Sequence, residues 1–79
     1  MPSFTVSARV SAVVHMIGCP KMVGKAWRAA MRGDLTWESK YEHLVRHETH
    51  TDITDMYTFK LKATSNGYTL TVSRERHGR

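Results

Sequence analysis

The sequence has 79 residues, of which 41% are hydrophobic and 24% are charged, and its formal net charge at pH 7 is +5. A chain of this length forms one small domain with a modest core, and its composition excludes a disordered, collagen-like or low-complexity protein. The single cysteine, Cys19, excludes an internal disulfide framework and a structural zinc site built on cysteines, and it suits a reducing cytoplasm.

The charged residues are segregated along the chain. Residues 1–33 hold five Lys or Arg side chains and no acid, residues 34–55 carry a net charge of −4, and residues 56–79 carry +4. Such blocks imply faces of opposite sign on a small domain, and a positive face attracts phosphates, anionic lipid or an acidic protein. No apolar stretch approaches the ~20 residues of a membrane span, so we expect no membrane partner.

Residues 3–16 are predicted to form the first strand, because apolar side chains recur there at every second position. The apolar face comprises Phe4, Val6, Ala8, Val10, Ala12 and Val14, and the polar face comprises Thr5, Ser7, Arg9 and Ser11. Gly18-Cys19-Pro20 then ends the strand.

A helix is predicted from about residue 20 to residue 32. Its apolar positions follow the helical repeat and form one stripe, which comprises Met22, Val23, Ala26, Trp27, Ala30 and Met31. Pro20 suits the first helical turn, and Gly33 is a typical C-terminal stop.

Residues 34–55 are compatible with a helix and with a strand. As a helix, Thr36 is a possible N-cap and the inward side chains are Trp37, Tyr41, Leu44, Val45 and Glu48. As a strand, Trp37, Tyr41, His43 and Val45 face inward and the charged residues of the segment face outward. The strand explains more of the charges and uses residues that favour β-structure, so we expect a strand.

Residues 57–73 are predicted to form a β-hairpin. Apolar and polar side chains alternate on both sides of Asn66-Gly67, the dipeptide that a two-residue type I′ turn prefers. With this turn, Ala63 pairs with Leu70 and Leu61 pairs with Val72, which keeps both apolar sets on one face.

These elements predict an α+β fold in the order β-α-β-β-β, with a mostly antiparallel sheet and one helix packed on one face. Residues 1–73 form the domain, and residues 74–79 are predicted to be a flexible basic tail. The predicted core comprises Trp27, Met31, Phe4, Val6, Phe59, Leu61, Leu70 and Val72.

The candidate binding site is a row of cations on the predicted helix: Lys21, Lys25, Arg28 and Arg32. These residues lie within about 60° of one another, opposite the apolar stripe. No acid interrupts the row, although like charges at i,i+4 and cations near a helix N-terminus both destabilise a helix. A solvated face is the ordinary alternative, but the destabilisation of the helix by this row favours an anion-binding surface.

The open face of the predicted sheet is a second, weaker candidate. It carries Thr, Ser and cationic side chains, including Arg9, Lys60 and Lys62, which can neutralise phosphates. It lacks the outward aromatic side chains on which single-stranded bases stack, and the same residues suit the solvent side of any strand. This face is also a candidate surface for a homodimer.

Other candidate chemistry is sparse. On a helix, His43, His47 and His50 would lie on one stripe that could hold zinc, whereas on a strand they are too far apart to chelate. Cys19 precedes the predicted helix near Lys21, but one cysteine without a surrounding motif favours a structural role. No nucleotide-binding, esterase or zinc-protease motif occurs, so we expect a protein without catalytic residues, metal or cofactor.

The sequence thus predicts a small cytoplasmic binding protein whose basic helix meets an anionic partner. Nucleic acid, contacted through its phosphates, is the first expectation. We expect no base-specific readout, because no zinc finger or other base-reading motif is present. The alternative is an inhibitor or adaptor, like a phage regulator, that docks on an acidic protein surface.

Overall fold

The computed structural model of the protein describes residues 3–48 and 51–78. The elements, in chain order, are β1 (Ser3–Val6), α1 (Ala8–Ile17), α2 (Lys21–Met31), β2 (Glu38–Glu48), β3 (Thr51–Thr64) and β4 (Gly67–Gly78). The α+β class is confirmed. The predicted β-α-β-β-β order is wrong, because a second helix stands between the first strand and the expected helix.

The first predicted strand ends at Val6, and most of the rest of residues 3–16 is helix α1. Ser7 caps this helix, since its hydroxyl accepts a hydrogen bond from the backbone N–H of Val10 at 3.2 Å. Gly18 closes it in the left-handed conformation, with φ of 69°. The inward side chains recur at i, i+3, i+4 and i+7: Val10, Val13, Val14 and Ile17. Val10 and Val14 also fit the two-residue repeat of a strand, and this repeat led to the prediction of a strand in place of α1.

Helix α2 matches the predicted helix closely, and it follows α1 after the turn Gly18-Cys19-Pro20. Its buried side chains are Met22, Ala26, Ala29 and Ala30. Residues 38–48 form a strand, so the strand interpretation is confirmed for this part of the ambiguous segment. The predicted inward position of Val45 is wrong: this side chain is 42% exposed, at a register shift between Leu44 and Arg46.

The four strands form one mixed sheet in the order β1-β4-β3-β2. β1 runs parallel to β4, and the other two pairs are antiparallel. Side chains from both helices pack with Tyr57, Phe59 and Leu61 of β3 in one core, so both helices cover the same face of the sheet. We call this the helix face and the opposite side the open face.

The β3–β4 hairpin is confirmed, but its predicted turn and register are wrong. Thr64 pairs with Gly67, so the two-residue loop is Ser65-Asn66 rather than Asn66-Gly67. Gly67 belongs to the sheet instead, where its φ of 150° and the adjacent backbone of Ser3 leave no room for a Cβ atom. The register shift is two residues, so every side chain keeps its predicted face.

The core contains most of the predicted residues. Phe59, Leu61 and Leu70 are buried, and the residues that pack against them at partial burial include Phe4, Val6, Met31 and Val72. Trp27 was predicted in the core and is instead 48% exposed. Helix α1 supplies four buried side chains that the sequence interpretation lacked, and α2 turns its alanines toward the sheet, about 100° of helix rotation away from Trp27.

The predicted basic tail is a further correction, because β4 continues to Gly78. Residues 74–78 pair with residues 53–57 of β3 in an unbroken antiparallel register. Backbone hydrogen bonds to β3 therefore hold this charged segment in the sheet.

Candidate functional site

The four cations predicted as the binding site are all exposed: Lys21, Lys25 and Arg28 on α2, and Arg32 at its C-cap. We call them the α2 row. The buried stripe of α2 faces the core, so the helical repeat turns the row outward. With a rise of about 1.5 Å per residue, the row extends roughly 16 Å along the helix axis. The structure thus exposes all four members of the row to solvent.

The members of the α2 row differ in their partners. Arg32 lies 3.5 Å from the carboxylate of Asp34, which also accepts hydrogen bonds from the hydroxyl and backbone N–H of Thr36. The hydroxyl of Thr36, with the Arg32 guanidinium adding to it, lowers the pKa of Asp34. Within residues 3–48 and 51–78, no carboxylate forms an ion pair with Lys21, Lys25 or Arg28.

The remaining predicted site residues lie elsewhere. Arg9 is exposed on α1, not on a strand as predicted, so it is not part of the open face. Lys60 and Lys62 are exposed on the open face, because they alternate with the buried Phe59 and Leu61. The sheet therefore separates these two lysines from the α2 row.

The open face is less basic than its composition implies. The Nζ atom of Lys60 lies 3.9 Å from Glu38, and that of Lys40 lies 3.8 Å from the same carboxylate. The far end of this face carries a cleft of about 620 Å³ lined by Glu42, Leu44, Asp52, Thr54, Met56, His77 and Gly78. Its carboxylates repel phosphate, so this end of the face does not extend a phosphate-binding surface.

His43 and His47 do not share the stripe that a helix would have given them, because β2 is a strand. His43 lies on β2, and its Nδ1 atom is buried without a hydrogen-bond partner in the described part of the chain. His47 also lies on β2, whereas His50 lies outside the described residues. No group of three possible metal ligands occurs within residues 3–48 and 51–78.

Cys19 is half-buried in the turn between the helices, and its thiol is not in a disulfide. Its backbone N–H donates to the carbonyl of Val14 at 3.1 Å, which helps to close α1. This placement is that of a turn residue.

One ion pair with a buried carboxylate was not predicted from the sequence. Arg76 donates through Nε at 2.8 Å and Nη2 at 3.1 Å to the carboxylate of Asp55, which is 2% exposed. The Tyr57 hydroxyl lies 3.4 Å from the same carboxylate. The hydrogen bonds from Arg76 lower the pKa of Asp55 although burial opposes them, and the charge of Arg74 adds to the effect.

A sequence signal for this pair existed. Asp55 continues the inward alternation of Tyr57 and Phe59, which marks it as a buried acid that needs a cation. The predicted hairpin starts at residue 57 and the predicted tail includes Arg76, so the prediction pairs neither residue. The pair fixes β4 to β3 and is a structural feature of the sheet.

Comparison with known protein families, curated proteins and solved structures finds no match to this chain. Neither α1 nor α2 is long enough to cross a membrane, and no other helix occurs in the described residues. A functional assignment therefore rests on the side chains of the chain itself.

Proposed function

We propose that this protein is a cytoplasmic, non-enzymatic protein that binds nucleic acid through phosphate contacts from the α2 row, without base-specific readout. The observation that supports the proposal is the exposure of four cations along one helix, three of which form no ion pair with a carboxylate in the described residues. Nucleic acid carries closely spaced phosphate groups, so a row of exposed cations attracts it through several phosphates at once.

The energetics of the helix support the same partner. Like charges at i,i+4 and cations in the first turn each destabilise a helix by a few tenths of a kcal/mol, so the row costs about 1 kcal/mol in total. No acid offsets this cost in the first turn of α2. A row of phosphates would reverse the sign of these interactions, because each cation would gain an anionic neighbour.

The salt dependence of binding tests the proposal. Each phosphate contact on duplex DNA releases counterion and contributes about −0.9 to the slope of log K against log salt. Four contacts predict a slope of about −3.6, and three predict about −2.7 if Arg32 stays with Asp34. We would measure fluorescence anisotropy of a labelled duplex between about 50 and 200 mM salt. Arg28→Gln is expected to reduce the magnitude of the slope by about one, equally on unrelated sequences.

A matched pair of double variants locates the surface. Lys21→Gln with Lys25→Gln and Lys60→Gln with Lys62→Gln remove the same charge from opposite sides of the sheet. The first pair is expected to lower the affinity and the magnitude of the slope, and the second is expected to leave the slope within experimental error. Equal losses from both pairs would mean that net charge acts without a defined site, and no binding of either a duplex or a single strand at about 50 mM salt would refute the proposal.

An acidic protein surface is the second candidate partner, and the exposed Trp27 on α2 favours it. Tryptophan and arginine are the residues most enriched at the energetic centres of protein interfaces. The chain would then act as an inhibitor or adaptor, and Arg28→Gln would slow its association with the acidic partner. A pull-down from lysate with and without nuclease separates the two candidates, because only nucleic-acid-mediated capture is lost after digestion.

A further inference from the structure

Trp27 occupies an unusual place for an aromatic residue of this protein. Its side chain is exposed near the middle of α2, whereas the other six aromatic residues are buried or half-buried. Exposing an indole ring to water is unfavourable, and nothing in the packing of α2 requires a large side chain on this side of the helix. The ring is therefore available to a ligand.

Gly24 is a second residue that the fold does not require. Its φ is not positive, and a Cβ atom there would meet only Nη1 of Arg28, at an ordinary contact distance of 3.7 Å. Inside a helix glycine is the least favourable residue other than proline. The absence of a side chain at Gly24 thus serves neither the backbone nor the core.

The two residues are neighbours on the helix surface. Trp27 and Arg28 follow Gly24 by three and four positions, and helical side chains lean toward the N-terminus, so both lean over the turn that contains Gly24. Consecutive residues lie about 100° apart around the helix, so Trp27 and Arg28 border the gap on two sides. We call the surface formed by Gly24, Trp27 and Arg28 the notch: the helical repeat places Trp27 on one side of Gly24, and the guanidinium of Arg28 packs over the glycine on the other side.

We propose that this notch binds one unpaired nucleobase, which stacks on the Trp27 ring while the α2 row holds the adjoining phosphates. The inference rests on the proposed function and narrows its ligand to single-stranded nucleic acid. Aromatic side chains in a positive surface bind single strands in this way, with little dependence on sequence, because every base offers a π-face. A duplex keeps its bases stacked and paired, so it engages the cations alone.

The charges around the notch favour this occupant over a protein. Arg28 borders it, Lys25 lies one position beyond Gly24, and neither forms an ion pair with a carboxylate of the described chain. A nucleotide supplies an aromatic plane and an adjacent anion at fixed spacing, which matches an indole beside a guanidinium. We therefore take a single strand as the ligand.

The test compares four labelled probes of equal length at one salt concentration: single-stranded RNA, single-stranded DNA, a DNA duplex and an abasic single strand that keeps the phosphates. Trp27→Ala is expected to weaken binding of the two base-containing single strands by roughly 5- to 150-fold, the loss that follows removal of one base–aromatic stack. Its effect on the duplex and the abasic strand is expected to stay within about twofold, since the phosphate contacts persist.

Gly24→Gln provides a variant that is expected to keep the fold. Glutamine favours the helix more than glycine does, so thermal stability is expected to be kept or raised while the side chain fills the notch. Binding of the base-containing strands is expected to fall as for Trp27→Ala. Lys21→Gln is the charge control, and it is expected to weaken all four probes together and to reduce the magnitude of their salt slopes.

The outcomes separate the two proposals. Failure of every probe to bind at about 50 mM salt refutes the proposed function. Binding of all four probes with equal affinity, unchanged by Trp27→Ala, refutes only the stacking site. An effect of Trp27→Ala on a purified acidic protein partner, with none on any oligonucleotide, would assign the ring to a protein interface and would also overturn the inference.

Discussion

Replacement of Asp55 by asparagine gives a direct measure of what holds the end of the sheet together. Asp55 is almost fully buried and receives two hydrogen bonds from Arg76, at 2.8 and 3.1 Å. Hydrogen bonds to a charged group contribute about 1.5–3 kcal/mol. Because the Arg76 side chain is 52% exposed, water screens the pair and would solvate the released guanidinium. We therefore expect Asp55→Asn to lower the free energy of unfolding by about 1–3 kcal/mol.

The pH dependence distinguishes the ion pair from simple packing. The pKa of Asp55 is lowered in the folded protein, so its contribution is fully present above the carboxyl pKa of the unfolded chain, about 3.9. The contribution is lost as the pH falls through the lower folded-state pKa. The stability difference between the wild type and Asp55→Asn is therefore expected to be constant near neutral pH and to shrink below about pH 4.

Urea denaturation followed by circular dichroism, repeated between about pH 7 and pH 3, provides the assay. Glu42→Gln is the matched control, because it neutralises an exposed carboxylate nearby in the sheet. Glu42 precedes His43, which is the neighbour of Asp55 across the β2–β3 pair. The control is expected to change the free energy of unfolding by no more than about 0.5 kcal/mol. Equal stabilities of the wild type and Asp55→Asn at pH 7 would refute the argument. A difference that persists unchanged at pH 3 would show that shape, not charge, matters at this position.

Two pairs of substitutions test the packing. Gly67→Ala is expected to lower the free energy of unfolding by at least about 1–3 kcal/mol and to increase amide exchange in β1, because the new Cβ overlaps the backbone of Ser3. Gly78→Ala is the control, and it is expected to be near neutral because its Cβ meets no atom within 4 Å. Phe59→Ala is expected to lower the free energy of unfolding by about 3–5 kcal/mol, since the ring is fully buried. Trp27→Ala is expected to lower it by about 1 kcal/mol or less, since this ring is exposed. Equal losses in denaturation would contradict the placement of Phe59 in the core and of Trp27 at the surface.

The sequence alone determined the elements whose pattern has a single interpretation. The stripe and stop signals of residues 21–31 specify a helix, and strict alternation around the β3–β4 turn specifies a hairpin with its apolar set on one face. The exposure of the α2 row follows from the same helical repeat, since residues opposite a buried stripe face water. These features depend on neighbours within a few positions, so local physics is enough.

The tertiary structure decided what local patterns leave open. Alternating valines between Val6 and Ile17 satisfy a strand and a helix alike, and the packing of these side chains against the distant strands of the sheet selects the helix. The hairpin register depends on β1, which is distant in sequence and packs against Gly67. The exposure of Trp27 depends on how two helices share one sheet face, and the pairing of Asp55 with Arg76 depends on a strand that continues past its apolar residues. Each of these outcomes is set by contacts between distant segments, which the periodicity of one segment cannot encode.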